Sequence, residues 1–337
     1  MATRKLADLQ KEATEARSRL LIGSWDAAHP DVAFRLVSLR ELLKRPEDDE
    51  INRHVVVATV AALQTYLRGV VVALCNFDNT YRVRAAELLQ EKISIKDALG
   101  WIGGASVSFG ELVAHSATCN STTDYITWMS ALLAGNFHDQ LKTAVPELDV
   151  RNKKQRPEPI IADVDLLFSR LSDLFRLRHI LAHEAASGLQ VRNSTVSEMH
   201  KCACLLIEGT DAVLWSTAYQ SLPLTQTEMN IHAAQLATKA ASAMDVELNI
   251  GLACASDSTI TEWLTKHQAE WMRLCDDWYK NTYGSMQGTM WPSVAGVDRA
   301  RVIEARTEQI RQWVRVIRPP ENNGKQQYCG FGGSFDY

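Results

Sequence analysis

The sequence lacks the excess of basic residues that most nucleic-acid-binding proteins carry. Its 36 lysines and arginines are outnumbered by 40 aspartates and glutamates, which gives a net charge of -4. A protein that binds polyanions over much of its surface usually shows the opposite balance. The composition therefore argues against a general polyanion binder and leaves room for a small local basic site.

The chain also lacks a disulfide framework. Its seven cysteines are an odd number at irregular spacing, and Cys202 and Cys204 are too close together for the two-residue gap of a typical zinc knuckle. We interpret most of them as small core residues of a reducing compartment. The first residues, Met1–Asp8, lack the apolar core of a secretory signal. We therefore expect a cytoplasmic protein.

One apolar run, from Val55 to Cys75, is about long enough to span a bilayer. Arg68 lies well inside this run, and an arginine at the bilayer centre costs roughly 2.5–3.5 kcal/mol on insertion scales. We interpret the run as a buried helix, from about Asn52 to Phe77, of a protein that does not enter a membrane.

No stretch alternates between apolar and polar residues for long, as a half-buried strand would. Apolar residues recur at helical spacing instead, so the sequence predicts an all-α protein. At 337 residues the chain is long for one domain. We expect an N-terminal helical extension at 1–45, a core domain at 46–223, a C-terminal helical module at 224–318 and a tail rich in glycine and aromatic residues at 319–337.

Several helix starts are predicted by a Ser, Thr or Asp that stands just before an apolar periodic run. The first of the expected helices runs to about Glu184, and Gly188 ends it or starts the next turn. The next two helices run to about Ser221 and to about Ala255. A final helical region is expected from Thr259 to about Ile317. The predicted caps are Asp163 or Asp165, Ser194 or Thr195, and Thr225 or Thr227.

The most distinctive stretch runs from Leu174 to Glu184 and places Arg178, His179 and His183 on one apolar helix. Buried charge is costly unless partners satisfy it, so we expect these groups to be packed into the core for a purpose. The apolar stripe that predicts this burial consists of Leu167, Leu171, Leu174, Phe175, Leu177, Ile180 and Leu181.

Two interpretations of this cluster follow from the residues themselves. The first is structural, a satisfied core histidine pair with a salt-bridged arginine. The second is a metal site, since His179 and His183 are four residues apart and share a helix face. Ile180 stands where a metalloprotease helix would carry its glutamate. Distant third ligands would have to be found among His115, His138 and His200.

A third interpretation comes from a family resemblance. The spacing of Arg178 and His183, with four residues between them, resembles the R-x4-H signature of the HEPN superfamily. The frame Leu171–Phe175, the following Glu184 and the Val55–Phe77 helix are also similar to members of that family. The likeness covers roughly residues 50–220, with residues 80–150 poorly matched.

The resemblance implies a HEPN-like helical bundle that works as a metal-independent endoribonuclease without a cofactor. Such proteins act in prokaryotic defence and toxin–antitoxin systems, so RNA is the implied substrate and an antitoxin or sensor protein an implied partner. His183 would be the general acid or base, Arg178 would stabilise the phosphate, and His179 would orient His183 or contact phosphate. The alternative is a catalytically silent scaffold that binds RNA or a protein. Ala185 stands where toxins silenced by adenylylation carry a tyrosine, which argues against that form of regulation.

The resemblance also implies a homodimer or a larger even assembly. Five residues along an ideal helix turn about 140°, so Arg178 and His183 do not share one face. A cleft between two subunits would bring both side chains to one phosphate. We expect Arg176, Lys153 and Lys154 to make the rim of this cleft basic.

The C-terminal region carries more than half of the nine tryptophans. In spacing, His267–Trp271, Tyr283–Met286 and Arg306–Ile310 resemble the helical module named after the lysozyme inhibitor LprI. That resemblance implies an accessory recognition module. Tryptophans that simply pack a helical hairpin are the alternative.

Overall fold

The computed structural model describes residues 6–20, 23–25, 28–88, 107–153, 157–184, 188–255 and 257–317. These residues form helices joined by turns, without a strand among them, which confirms the all-α class. The chain divides into two compact units, Met1–Leu222 and Pro223–Tyr337, here called the first and second unit.

The described helices of the first unit are α1 (Leu6–Ser18), α2 (Ala28–Leu43), α3 (Asp49–Phe77), α4 (Asn79–Glu87), α5 (Phe109–Ser116), α6 (Thr122–Leu133), α7 (Phe137–Lys142), α8 (Glu147–Arg151), α9 (Val164–His183) and α10 (Asn193–Ser216). Those of the second unit are α11 (Gln226–Cys254), α12 (Ser258–Tyr283) and α13 (Trp291–Ile317).

Helix α3 is the centre of the first unit, and α2, α5, α9 and α10 pack against it. Asp48 caps its start by accepting hydrogen bonds from the backbone N–H groups of Glu50 (2.8 Å) and Ile51 (3.1 Å). Among the described helices, α3 alone is long and apolar enough to cross a membrane, and 72% of its apolar window is buried inside the protein. It is therefore the core helix that the Val55–Cys75 run predicts.

Helix α9 begins where the sequence predicts. Asp163 is its cap and accepts a hydrogen bond of 2.8 Å from the N–H of Leu166, whereas Asp165 forms an ion pair with His138. The helix ends at His183, because Glu184 takes an extended conformation and its N–H still donates to the carbonyl of Ile180. This end is within one residue of the predicted end at about Glu184, and Gly188 lies beyond the helix.

The start of α10 differs from the prediction. The helix begins at Asn193 after Arg192, whose side chain makes no capping hydrogen bond, so neither Ser194 nor Thr195 is the cap. Tertiary contacts fix this start instead. The Asn193 side-chain amide donates to the carbonyl of Leu43 at 3.0 Å, and its backbone N–H donates to Glu47 at 3.1 Å.

In the second unit the predicted cap of α11 is confirmed. Thr225 and Glu228 form a capping box, in which each side chain accepts a hydrogen bond from the backbone N–H of the other residue. The final helical region is not one helix but two, α12 and α13, with a break between Tyr283 and Trp291. Helix α13 packs against both α11 and α12.

Candidate functional site

The last turns of α9 carry the polar cluster out of the core. The buried residues of this helix end at Phe175. Beyond it Arg178 is half-buried, while His179 and His183 are exposed. The expectation that the whole cluster is packed into the core is wrong, because the described neighbours of α9 cover it fully only as far as Phe175. Leu177 and Leu181 are partly buried against the core and hold this end of the helix in place.

The two histidines lie side by side on the surface. Their ring centroids are 4.7 Å apart with 54° between the ring planes, which confirms that the four-residue spacing puts them on one face. With the residues that the structure describes, neither histidine side chain forms a hydrogen bond or an ion pair, and neither does the side chain of Arg178. A guanidinium without a carboxylate partner keeps its forked donors available for an anion such as phosphate.

His200 shows what a structural histidine looks like in this fold. It is 4% exposed, and its Nε2 lies 3.1 Å from the carbonyl oxygen of Leu36. Burial lowers the pKa of His200, and the hydrogen bond to Leu36 opposes that shift. The satisfied core histidine of the structural interpretation therefore exists, but on α10 and not at His179 or His183.

The metal hypothesis needs a third ligand close to His179 and His183. Across the described ranges, no group of three or more His, Cys, Asp or Glu side chains is arranged to hold a metal ion. Each histidine named as a distant ligand has a partner of its own. The distances are 2.6 Å from His115 to Glu12, 3.0 Å from His138 to Asp165 and 3.1 Å from His200 to the carbonyl of Leu36.

The predicted basic rim is only partly described. Arg176 is exposed and forms an ion pair of 3.5 Å with Asp173 on its own helix, which reduces its net positive contribution. Lys153 lies in the turn after α8 with a left-handed backbone (φ of 55°), and its side chain is exposed. No described contact joins Lys153 to the end of α9. Lys154 lies outside the described residues.

The chain that follows the cluster is fixed to the start of α3. The buried Asn52 side chain donates to the carbonyl of Val191 at 2.8 Å, and Arg53 donates to the carbonyl of Leu189 at 2.9 Å. Beside these anchors is a cleft of about 720 Å³. Its lining residues are Arg45, Glu47, Asp49, Gln190, Arg192, Asn193 and Ser194.

Sequence reasoning missed this cleft. Its residues come from two segments about 140 positions apart in the chain, and only folding brings them together. The polar, acidic run after Arg45 has no motif that would indicate a binding surface. Arg45 and Arg192 are both exposed there, so the cleft offers cationic groups as well as carboxylates.

Comparison of the chain with protein-family models, with curated proteins and with solved structures finds no match. The geometry at the end of α9 and the resemblance of its motif are therefore the observations that bear on function.

Proposed function

We propose that this protein is a metal-independent endoribonuclease of the HEPN type. The observation that supports the proposal is the exposed end of α9. There His179 and His183 are exposed side by side and Arg178 is half-buried, and none of the three side chains forms a hydrogen bond or an ion pair with a described residue. The histidine with a structural environment is His200, which is buried and bonded to the carbonyl of Leu36.

In the proposed reaction RNA supplies its own nucleophile. A 2′-hydroxyl attacks the adjacent phosphorus, a new P–O2′ bond forms, and the bond from phosphorus to the 5′-oxygen of the next nucleotide breaks. One imidazole accepts the proton of the 2′-hydroxyl, and an imidazolium donates a proton to the departing 5′-oxygen. The products are a 2′,3′-cyclic phosphate and a 5′-hydroxyl, so neither water nor a metal ion is consumed in this step.

The side chains have distinct proposed roles. His183 is the general acid or base, because histidine changes protonation state near neutral pH. Arg178 donates to the phosphate oxygens, where negative charge develops in the transition state. His179, whose ring is 4.7 Å from that of His183, positions the catalytic imidazole or contacts phosphate.

We further propose that two copies form the working enzyme in the cytoplasm and that a sensor or antitoxin controls it. The physical reason for a dimer is the separation of about 140° between Arg178 and His183 around one helix axis. A two-fold axis near the end of α9 would place the arginine of one copy beside the histidine of the other.

The test is cleavage of a mixed RNA pool by the purified protein in the presence of a chelator. We expect cleavage to 2′,3′-cyclic phosphate ends, and we expect His183→Ala to lower the rate by about 100-fold or more, the usual contribution of acid–base catalysis. His232→Ala is a matched control, since His232 is an exposed histidine of the second unit.

Two results would contradict the proposal. If the wild type cuts no RNA, even with an extract of infected cells added, the silent scaffold is the better description. If the purified wild type contains stoichiometric zinc and the His179→Ala variant does not, a metal enzyme is favoured.

A further inference from the structure

A cavity of about 320 Å³ lies in the first unit, away from the residues of the proposed ribonuclease site. Its lining comes from α2, α3 and α10, from Tyr219 just after α10 and from Trp25, and no residue of α9 contributes. An inference about this cavity therefore does not depend on the proposed function. Its volume is near the lower end of the range of about 300–1,000 Å³ in which small-molecule sites fall.

The cavity contains a carboxylate that no described lysine or arginine compensates. Asp211 lines it, and the Tyr66 hydroxyl donates a hydrogen bond of 2.6 Å to Oδ1 of this aspartate. Within the described ranges no lysine or arginine pairs with Asp211. Burial raises the pKa of Asp211, while the Tyr66 hydrogen bond and the nearby His29 oppose that rise. A carboxylate held in this way is costly unless a positive charge compensates it.

Aromatic rings line the same cavity as this carboxylate. Trp25, Trp215 and Tyr219 line the cavity and are each partly exposed. The fourth ring, His29, also lines it and stacks on Tyr66 with centroids 4.9 Å apart. The faces of indole and phenol rings carry negative potential and attract organic cations.

One face of Trp215 already contacts a cation. The guanidinium of Arg151 lies 5.8 Å from the centroid of this ring. Arg151 is itself held by Glu147 at 3.0 Å and by the carbonyl oxygens of Leu222 and Gln220. Its charge is therefore compensated locally and does not neutralise Asp211.

We propose that this cavity binds a small organic ammonium ion. The ammonium group would lie against Asp211, and its alkyl substituents would contact the faces of Trp25, Trp215 and Tyr219. The carboxylate supplies the charge and the rings supply both dispersion contacts and cation–π attraction. A neutral ligand of the same shape would leave the carboxylate uncompensated, so charge is the property that this site selects.

The first test uses the wild-type protein and a pair of isosteric probes, choline and the neutral 3,3-dimethylbutan-1-ol, in isothermal titration calorimetry. We expect choline to bind about tenfold or more tightly than the neutral probe, given the strength of a desolvated cation–π contact. Equal affinities would show a merely apolar cavity and overturn the proposal. The proposal would also be overturned if choline did not bind at millimolar concentration. The same holds if guanosine, a neutral molecule with a planar base, bound more tightly than choline.

The second test assigns the ligand to this cavity. Asp211→Asn retains an acceptor for the Tyr66 hydroxyl but removes the charge, and we expect it to weaken choline binding by about tenfold or more. Tyr66→Phe is the matched control, because it removes the neighbouring hydroxyl and leaves the carboxylate in place. Unchanged affinity in Asp211→Asn would overturn the proposal. If that variant does not fold by circular dichroism, the probe pair on the wild type still decides.

Discussion

His183 and His200 lie on helices that pack against each other, yet their environments are opposite. His200 is buried, its Nε2 donates a hydrogen bond to the carbonyl oxygen of Leu36, and burial lowers its pKa. His183 is exposed beside His179. The difference is one of position along the helices, because α9 leaves the core before it ends while α10 crosses it. Chemistry at the surface is therefore open to His183 and closed to His200.

Asp211 gives a prediction at the scale of a single residue. Its pKa in the folded protein is raised above the ordinary value of 3.8, chiefly by burial. The ionised form thus destabilises the fold at neutral pH. That cost disappears as the pH falls through the raised pKa, because the folded protein then binds a proton more readily than the unfolded chain. We expect Asp211→Asn to stabilise the protein at neutral pH by about 0.5–2 kcal/mol.

The measurement is chemical denaturation of the wild type and of Asp211→Asn at neutral and at acidic pH. The gap between the two proteins should close as the pH falls. A variant less stable than the wild type at neutral pH would contradict the expectation. It would mean that the hydrogen bond from Tyr66 to the charged oxygen outweighs the cost of burial.

At the scale of elements, α2 and α3 meet at a glycine. A Cβ atom added at Gly69 would lie 2.8 Å from the Cβ of Ala28, a distance that the two helices would have to increase by moving apart. Overpacking of this kind costs about 1–3 kcal/mol, against a gain of at most about 1 kcal/mol in helix propensity. We therefore expect Gly69→Ala to lower the free energy of unfolding.

Adding Ala28→Gly to Gly69→Ala removes the atom that the new methyl group would meet. Since Ala28 is the first residue of α2, glycine there should cost little by itself. Urea denaturation of the two single variants and the double variant should show that the double variant recovers part of the loss. Strict additivity of the two changes would show that this contact does not limit the approach of the helices.

At the scale of the whole molecule, the proposed enzyme needs two chains. We expect a homodimer in light scattering at micromolar concentration, with the end of α9 in its interface. If each site takes Arg178 from one copy and His183 from the other, mixed Arg178→Ala and His183→Ala subunits rebuild one complete site. Ribonuclease activity should then return in part on mixing, although each variant alone is inactive.

The control is the ribonuclease activity of each variant alone, taken through the same mixing procedure. Activity that never returns, in mixtures shown to exchange subunits, would indicate that each site lies within a single chain. A protein that stays monomeric and still cuts RNA would exclude the composite arrangement. RNA binding should also weaken as salt rises, because contacts to phosphate release counterions.

The sequence by itself determined the features that depend on near neighbours in the chain. Helical periodicity predicts the all-α class and the buried helix α3. The caps at Asp163 and Thr225 need only residues three positions away. The shared face of His179 and His183 follows from helix geometry alone. Such features are local, because the backbone hydrogen bonds that create them join residues within one or two turns.

Tertiary structure alone decided which surfaces are covered. The apolar stripe of α9 continues past Phe175, and only the arrangement of its neighbours leaves Arg178 and the histidines outside the core. The start of α10 at Asn193 is set by contacts to Leu43 and Glu47. The cavity around Asp211 likewise joins segments far apart in sequence. A side chain is buried only where another element packs against its helix face. A periodic pattern specifies an apolar face but not the element that covers it.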